Sequence, residues 1–74
     1  MFDRARCGKV IKELRQANNL QQEELAIKVG VKRVTISKIE TGANAPSIEL
    51  LYNICKHFNV SADYLLGLDN KSEE

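Results

Sequence analysis

The chain is poor in the residues that staple or punctuate a fold. It has one proline, two cysteines, no tryptophan and an aromatic share of 5%. Two cysteines give no disulfide framework, so stability must come from helix packing. No apolar run approaches the roughly 18 residues of a membrane span, and neither a secretory signal nor a transit peptide is visible. The expectation is a cytoplasmic protein with no membrane partner. Excess charge of one sign is also scarce, at a formal net +1. What is present is a 43% hydrophobic content in 74 residues. That suffices for one small core near the lower limit for a self-sufficient domain. No internal repeat, low-complexity tract or linker interrupts it.

The near-zero charge hides an uneven distribution. Residues 1–42 hold nine Lys/Arg against five Asp/Glu, and residues 43–74 hold two against five. A basic half and an acidic half suit a protein that meets phosphate on one side.

Helical spacing recurs throughout. Cys7, Ile11 and Leu14 mark a first helix over about Asp3–Asn18, ending in the Asn18-Asn19 pair. Leu25, Ala26 and Val29 form the inward face of a second, and Thr41-Gly42 closes a third with Gly42 as a left-handed cap. Pro46-Ser47 opens a fourth, with Ser47 capping, Glu49 in the first turn and a core stripe of Ile48, Leu51, Cys55 and Phe58. Ser61 and Asp63 start a short fifth helix that Gly67 stops, and a polar tail follows over residues 68–74.

The second and third helices meet at a tight turn at Gly30-Val31, which makes a helix-turn-helix that offers its second helix to the DNA major groove. At about 100° per residue, with Arg33 at zero, Ser37 lies near 40°, Thr41 near 80°, Val34 near 100° and Lys38 near 140°. Ile36 and Ile39 fall near 300° and 240°, with Thr35 near 200° between the faces. One side is therefore core and the other a polar, basic surface. Arg33 stands at the end of the helix that reaches base edges, where it can grip both acceptors of a guanine. Val34 can touch a thymine methyl, and Lys38 has reach for a base or a phosphate. The bland alternative is a surface helix with solvated charges.

From Gly8 to Leu66 the segments GKVIKELR, LQQEELAIKVGV, TISKIETG, PSIELLYNICKHFNVS and DYLLG follow one another in the order and spacing of the Cro/C1-type helix-turn-helix domain, the phage-repressor or xenobiotic-response-element family. The chain resembles that family across several independent motifs. The resemblance implies an all-α, lambda-repressor-like domain of five helices over residues 1–67, with the helix-turn-helix formed by helices 2 and 3. It further implies double-stranded DNA as partner and a homodimer on a two-fold operator.

On that basis Arg33, Val34, Ser37 and Lys38 are expected to read bases. Gln21, Gln22, Lys32, Thr35, Thr41 and Asn44 are expected to hold the DNA backbone. In the family, the glutamine matching Gln22 braces the backbone contact and often a side chain of the recognition helix. A partly buried ion pair between Arg15 and Glu40 is likewise implied by the resemblance. Two departures stand out. The family usually has Ser or Thr at the positions of Gln21 and Lys32, and Gln and Lys cap poorly, so both helix starts are expected to fray. The loop Ala43-Asn44-Ala45 lacks the usual Lys or Arg, which points to moderate affinity and a shallow salt dependence. Arg4, Arg6 and Lys9 are split evenly between backbone contact and solvation.

Cys7, Cys55 and His57 do not form a metal or catalytic set. Cys55 and His57 are too close in sequence to share a helix face, and core cysteines acting as small hydrophobes is the better reading. No enzyme, cofactor, metal or small-molecule ligand is expected. Tyr64, Leu65, Leu66 and Leu68 form an apolar cluster larger than a short terminal helix needs. Some of it belongs to the core, and the rest is a candidate contact between the copies of a symmetric dimer. The residues leave a second reading open, a protein-interaction module such as an antitoxin that neutralises a protein partner and binds DNA secondarily.

Overall fold

The computed structural model describes residues 1–68, which form five helices and no strand: α1 (Arg4–Ala17), α2 (Gln22–Val29), α3 (Arg33–Glu40), α4 (Ile48–Phe58) and α5 (Ala62–Leu66). Short polar signals set most of the ends. The Asp3 carboxylate accepts from the Arg6 amide at 3.1 Å, the Ser47 hydroxyl from the Leu50 amide at 3.1 Å and the Ser61 hydroxyl from the Tyr64 amide at 3.1 Å. Each satisfies a donor that the helix itself leaves orphaned. At the other ends the chain turns through left-handed residues, including Asn19, Gly30 and Asn59. Gly42, at φ 84°, stands one residue beyond the Thr41 cap of α3.

α3 packs against both α1 and α2, α4 packs against α2 and α5, and α5 returns to α1. The core between them comprises Cys7, Val10, Ile11, Leu25, Ala26, Val29, Ile36, Ile39, Leu50, Leu51, Ile54 and Leu65. Leu14, Phe58 and Val60 pack around it, half-buried.

Two sequence expectations need correction. The α4 stripe is out of phase: Ile48 is 82% exposed, while Leu50 and Ile54 take the central positions beside Leu51. Cys55 and Phe58 line the rim. Ile48 is the first residue of α4 and projects past the end of the core, so its hydrophobicity is no guide to its facing. The second correction concerns Leu65, which is 0% exposed and belongs wholly to the core of the monomer. Of the proposed contact cluster, Tyr64 and Leu68 are exposed and Leu66 is half-buried. The remainder of the tail expected over 68–74 lies outside the described residues from position 69 onward.

Gly8 explains how closely α1 and α3 approach. A methyl group on it would overlap the carbonyl oxygen of Ile39 and stand 3.1 Å from the Glu40 carbonyl carbon. Only a residue without Cβ admits the α3 backbone at that distance.

Candidate nucleic-acid interface

The helix-turn-helix is built from α2, the turn Gly30–Lys32 and α3. Gly30 adopts φ 78°, and the Val31 amide donates back to the Ala26 carbonyl at 2.9 Å, closing α2 before the chain reverses. The Asn53 side-chain amide reaches from α4 to the Val29 carbonyl at 3.4 Å and ties down the same end. Ile36 and Ile39 lock one side of α3 into the core. The opposite side carries Arg33, Val34 and Lys38 exposed and Ser37 half-buried, as the 100° spacing requires. Val34 is 47% exposed, a large aliphatic group left in solvent beside two cations.

Of the backbone set, Gln21, Lys32 and Asn44 are exposed, and Gln22 and Thr35 are half-buried. Thr35 shares a groove with Val34, Lys38, Asn44 and Ala45, which puts the α3–α4 loop along the same flank as the basic helix face. Thr41 is exposed, but its hydroxyl donates to the Lys38 carbonyl at 3.1 Å. It must give up that bond to donate to a phosphate. Arg6 and Lys9 line a different depression, with Asp3, Glu13 and Tyr64 on the α1–α5 side.

The start of α2 is better held than its Gln21 suggests. Glu24 reaches back and accepts from the Gln21 amide at 2.7 Å, the returning half of a capping box. The expected fraying is thus countered at α2, whereas Lys32 supplies no side-chain bond to α3.

Behind the surface lies a continuous polar chain. Arg15 Nε donates to Glu40 Oε2 at 2.6 Å and a terminal nitrogen donates to Oε1 at 3.0 Å, a two-bond fork between side chains only 11% and 3% exposed. The remaining Arg15 nitrogen donates to the Leu20 carbonyl at 2.8 Å. Glu40 Oε1 also accepts from the Gln22 side-chain nitrogen at 3.0 Å. Gln22 Oε1 in turn accepts from an Arg33 nitrogen at 3.4 Å. The ion pair expected from the resemblance is therefore present and buried, and it extends to the outermost helix face. Sequence reasoning missed Gly8, Glu24 and Asn53 as members of this scaffold. Gly8 carried a usable signal, because a glycine inside a helix is unfavourable unless another backbone comes close.

Burial pushes the Cys7 thiol up from its usual 9.0, with Arg6 opposing and Cys55 adding to the rise, and burial likewise raises Cys55. Neither is in a disulfide, and among the described residues no cluster of three or more His, Cys, Asp or Glu is arranged to hold a metal. Among the same residues no helix is long and apolar enough to cross a membrane.

An exposed basic helix set on a second helix across a left-handed glycine turn defines the helix-turn-helix class. A family model described as helix-turn-helix matches residues 11–65. The chain is 43% identical over 61 residues to an uncharacterized HTH-type transcriptional regulator of Archaeoglobus fulgidus, covering 82% of this chain and 86% of the relative. It is 44% identical over 62 residues to the antitoxin PezA of Streptococcus pneumoniae, where 84% of this chain spans 39% of that protein. In structure it is similar to the P22 c2 repressor bound to a synthetic operator, with TM-score 0.80, 35% identity and coverage of 85% of this chain and 96% of that one. The chain belongs to the Cro/C1-type helix-turn-helix family.

Proposed function

We propose that this protein is a sequence-specific regulator of transcription that binds double-stranded DNA, and that it represses by occupying a pseudo-palindromic operator as a homodimer in the cytoplasm. The observation that carries this reading is the outer face of α3, where Arg33, Val34 and Lys38 are exposed while Ile36 and Ile39 hold the helix rigidly from behind. Arg33 serves a guanine through two donors, Val34 a thymine methyl, and Ser37 and Lys38 the neighbouring edges. The first amides of α2, beside Gln21 and Gln22, serve a phosphate, since helix N-termini present free N–H groups and a favourable dipole. Lys32, Thr35 and Asn44 flank that contact. The P22 c2 repressor in complex with a synthetic operator and SinR in complex with DNA, 34% identical with TM-score 0.75, support DNA as the partner.

The functional unit spans residues 1–67. Its dimer contact is the surface formed by Tyr64 and Leu68 with the adjoining Met1, Phe2 and Leu66, the last three lining one groove with Gly67 and Leu68. A two-fold pairing there sets two recognition helices about 34 Å apart, one turn of DNA.

Selection of the purified protein against a random duplex pool at near-physiological salt tests the reading. Enrichment of a pseudo-palindrome with half-sites about one helical turn apart supports it. An unenriched pool sinks it and favours the protein-interaction reading. That reading draws on the similarity to an antitoxin and on the exposed Ile48 and Tyr52 of α4, and a pull-down would then follow.

A further inference from the structure

The chain Arg15–Glu40–Gln22–Arg33 contains an asymmetry that ordinary structural ion pairs lack. A carboxylate only accepts hydrogen bonds, a guanidinium only donates, and an amide does one at each end. Gln22 lies between the two, with its nitrogen 3.0 Å from Glu40 Oε1 and its oxygen 3.4 Å from an Arg33 nitrogen. Of the two ends of the Gln22 amide only the nitrogen can donate to Glu40, which leaves the oxygen to face Arg33. Of the same two ends only the oxygen can accept from Arg33. The two ends agree, and the direction of the amide is fixed from within the core.

We propose that the buried carboxylate of Glu40 is a specificity-determining positioning group, which acts through Gln22 to aim the Arg33 guanidinium at its base. This rests on the reading of α3 as the base-contacting helix. Glu40 itself is nearly inaccessible, with a side chain 3% exposed, and touches no ligand. It is held in turn by the two-bond fork from Arg15, whose third contact to the Leu20 carbonyl fixes the guanidinium at the end of α1. Arg33 is exposed and, without Gln22, has no other hydrogen-bonding partner among the described residues. A long flexible side chain held in one direction loses less freedom when it meets two acceptors on a guanine. The consequence is felt at one base and not across the site.

The test uses the duplex enriched by the full chain. Arg33→Ala first identifies the base position whose preference depends on Arg33; if no such position exists, the reading of α3 fails and the relay is not what failed. Gln22→Met removes both polar ends and leaves the Arg15–Glu40 pair intact. Glu40→Gln removes the acceptor-only partner. Glu40→Asp keeps the charge but withdraws it from Gln22, and it serves where Glu40→Gln does not fold at the assay temperature. Every variant is assayed well below its own melting midpoint. The expected result is loss of preference, of about tenfold, at the position that Arg33→Ala identifies, with preferences elsewhere retained. In an Arg33→Ala background the same changes should leave that position unaltered. A loss spread evenly over all positions, or no loss with Gln22→Met or with the folded Glu40 variant, would overturn the proposal.

Discussion

Glu40 sits where stability and recognition meet, and the two are separable by experiment. Thermal or denaturant unfolding of Glu40→Gln should show a loss of about 3–5 kcal/mol, because Arg15 is left charged and unpaired in a buried site. A change too small to resolve would mean the pair is worth no more than a surface one. Gly8→Ala should destabilise by about 1–3 kcal/mol despite alanine's better helix propensity, since α1 must move off the Ile39 carbonyl. A stabilised Gly8→Ala, read from its melting midpoint, would show that the approach of α1 to α3 is not tight. The cysteines add a pH dependence of known sign. Both thiols hold their protons more firmly folded than unfolded. Stability should be unaffected by them below pH 9 and fall as the pH rises above it, and melting curves of Cys7→Ala should show a shallower fall. Arg15 and Glu40 were identifiable from the motif that surrounds them. The bracing of a recognition-helix side chain by Gln22 was implied by the resemblance, but its bond to Glu40 was not legible, because the two lie 18 residues apart in sequence and meet only when α2 and α3 fold together.

Among the elements, ends were more legible than faces. Ser47, Ser61 and Gly67 announce helix boundaries through local hydrogen bonds and a left-handed turn, and the structure places each boundary there. The phase of α4 was not legible because its sequence is apolar on more than one side, and only packing against α2 and α5 selects Leu50, Leu51 and Ile54 over Ile48. The two isoleucines of α4 should therefore respond very unequally. Ile54→Ala should cost about 2–5 kcal/mol. Ile48→Glu should change stability by no more than about 0.5 kcal/mol, as a surface substitution in the first turn. Equal losses in chemical denaturation would restore the sequence-derived stripe. For α3 the face was legible from the wheel alone, since Ile36 and Ile39 are its only large apolar residues apart from Val34.

At the scale of the molecule, the N-terminal half that carries the helix-turn-helix is basic and the C-terminal half acidic. With Asn44 and no Lys or Arg on the α3–α4 loop, few phosphates should be neutralised and the salt dependence of binding should be shallow. Lys32→Ala should weaken all duplexes alike and reduce the slope of log affinity against log salt by about one. A loss confined to one base would instead make Lys32 a reader. The fold class and the helix-turn-helix were readable because helical spacing and caps are local properties. The proposed dimer contact was only incompletely readable, since an apolar cluster in sequence does not show that Leu65 is consumed by the monomer's own core. The central claim is that the outer face of α3 and the start of α2 meet DNA, and amide and side-chain NMR of the labelled protein titrated with its selected duplex tests it most directly. Shifts should concentrate at Gln22, Arg33, Val34, Ser37, Lys38 and Asn44. Shifts centred instead on Ile48 and Tyr52, or on Tyr64 and Leu68 alone, would contradict it.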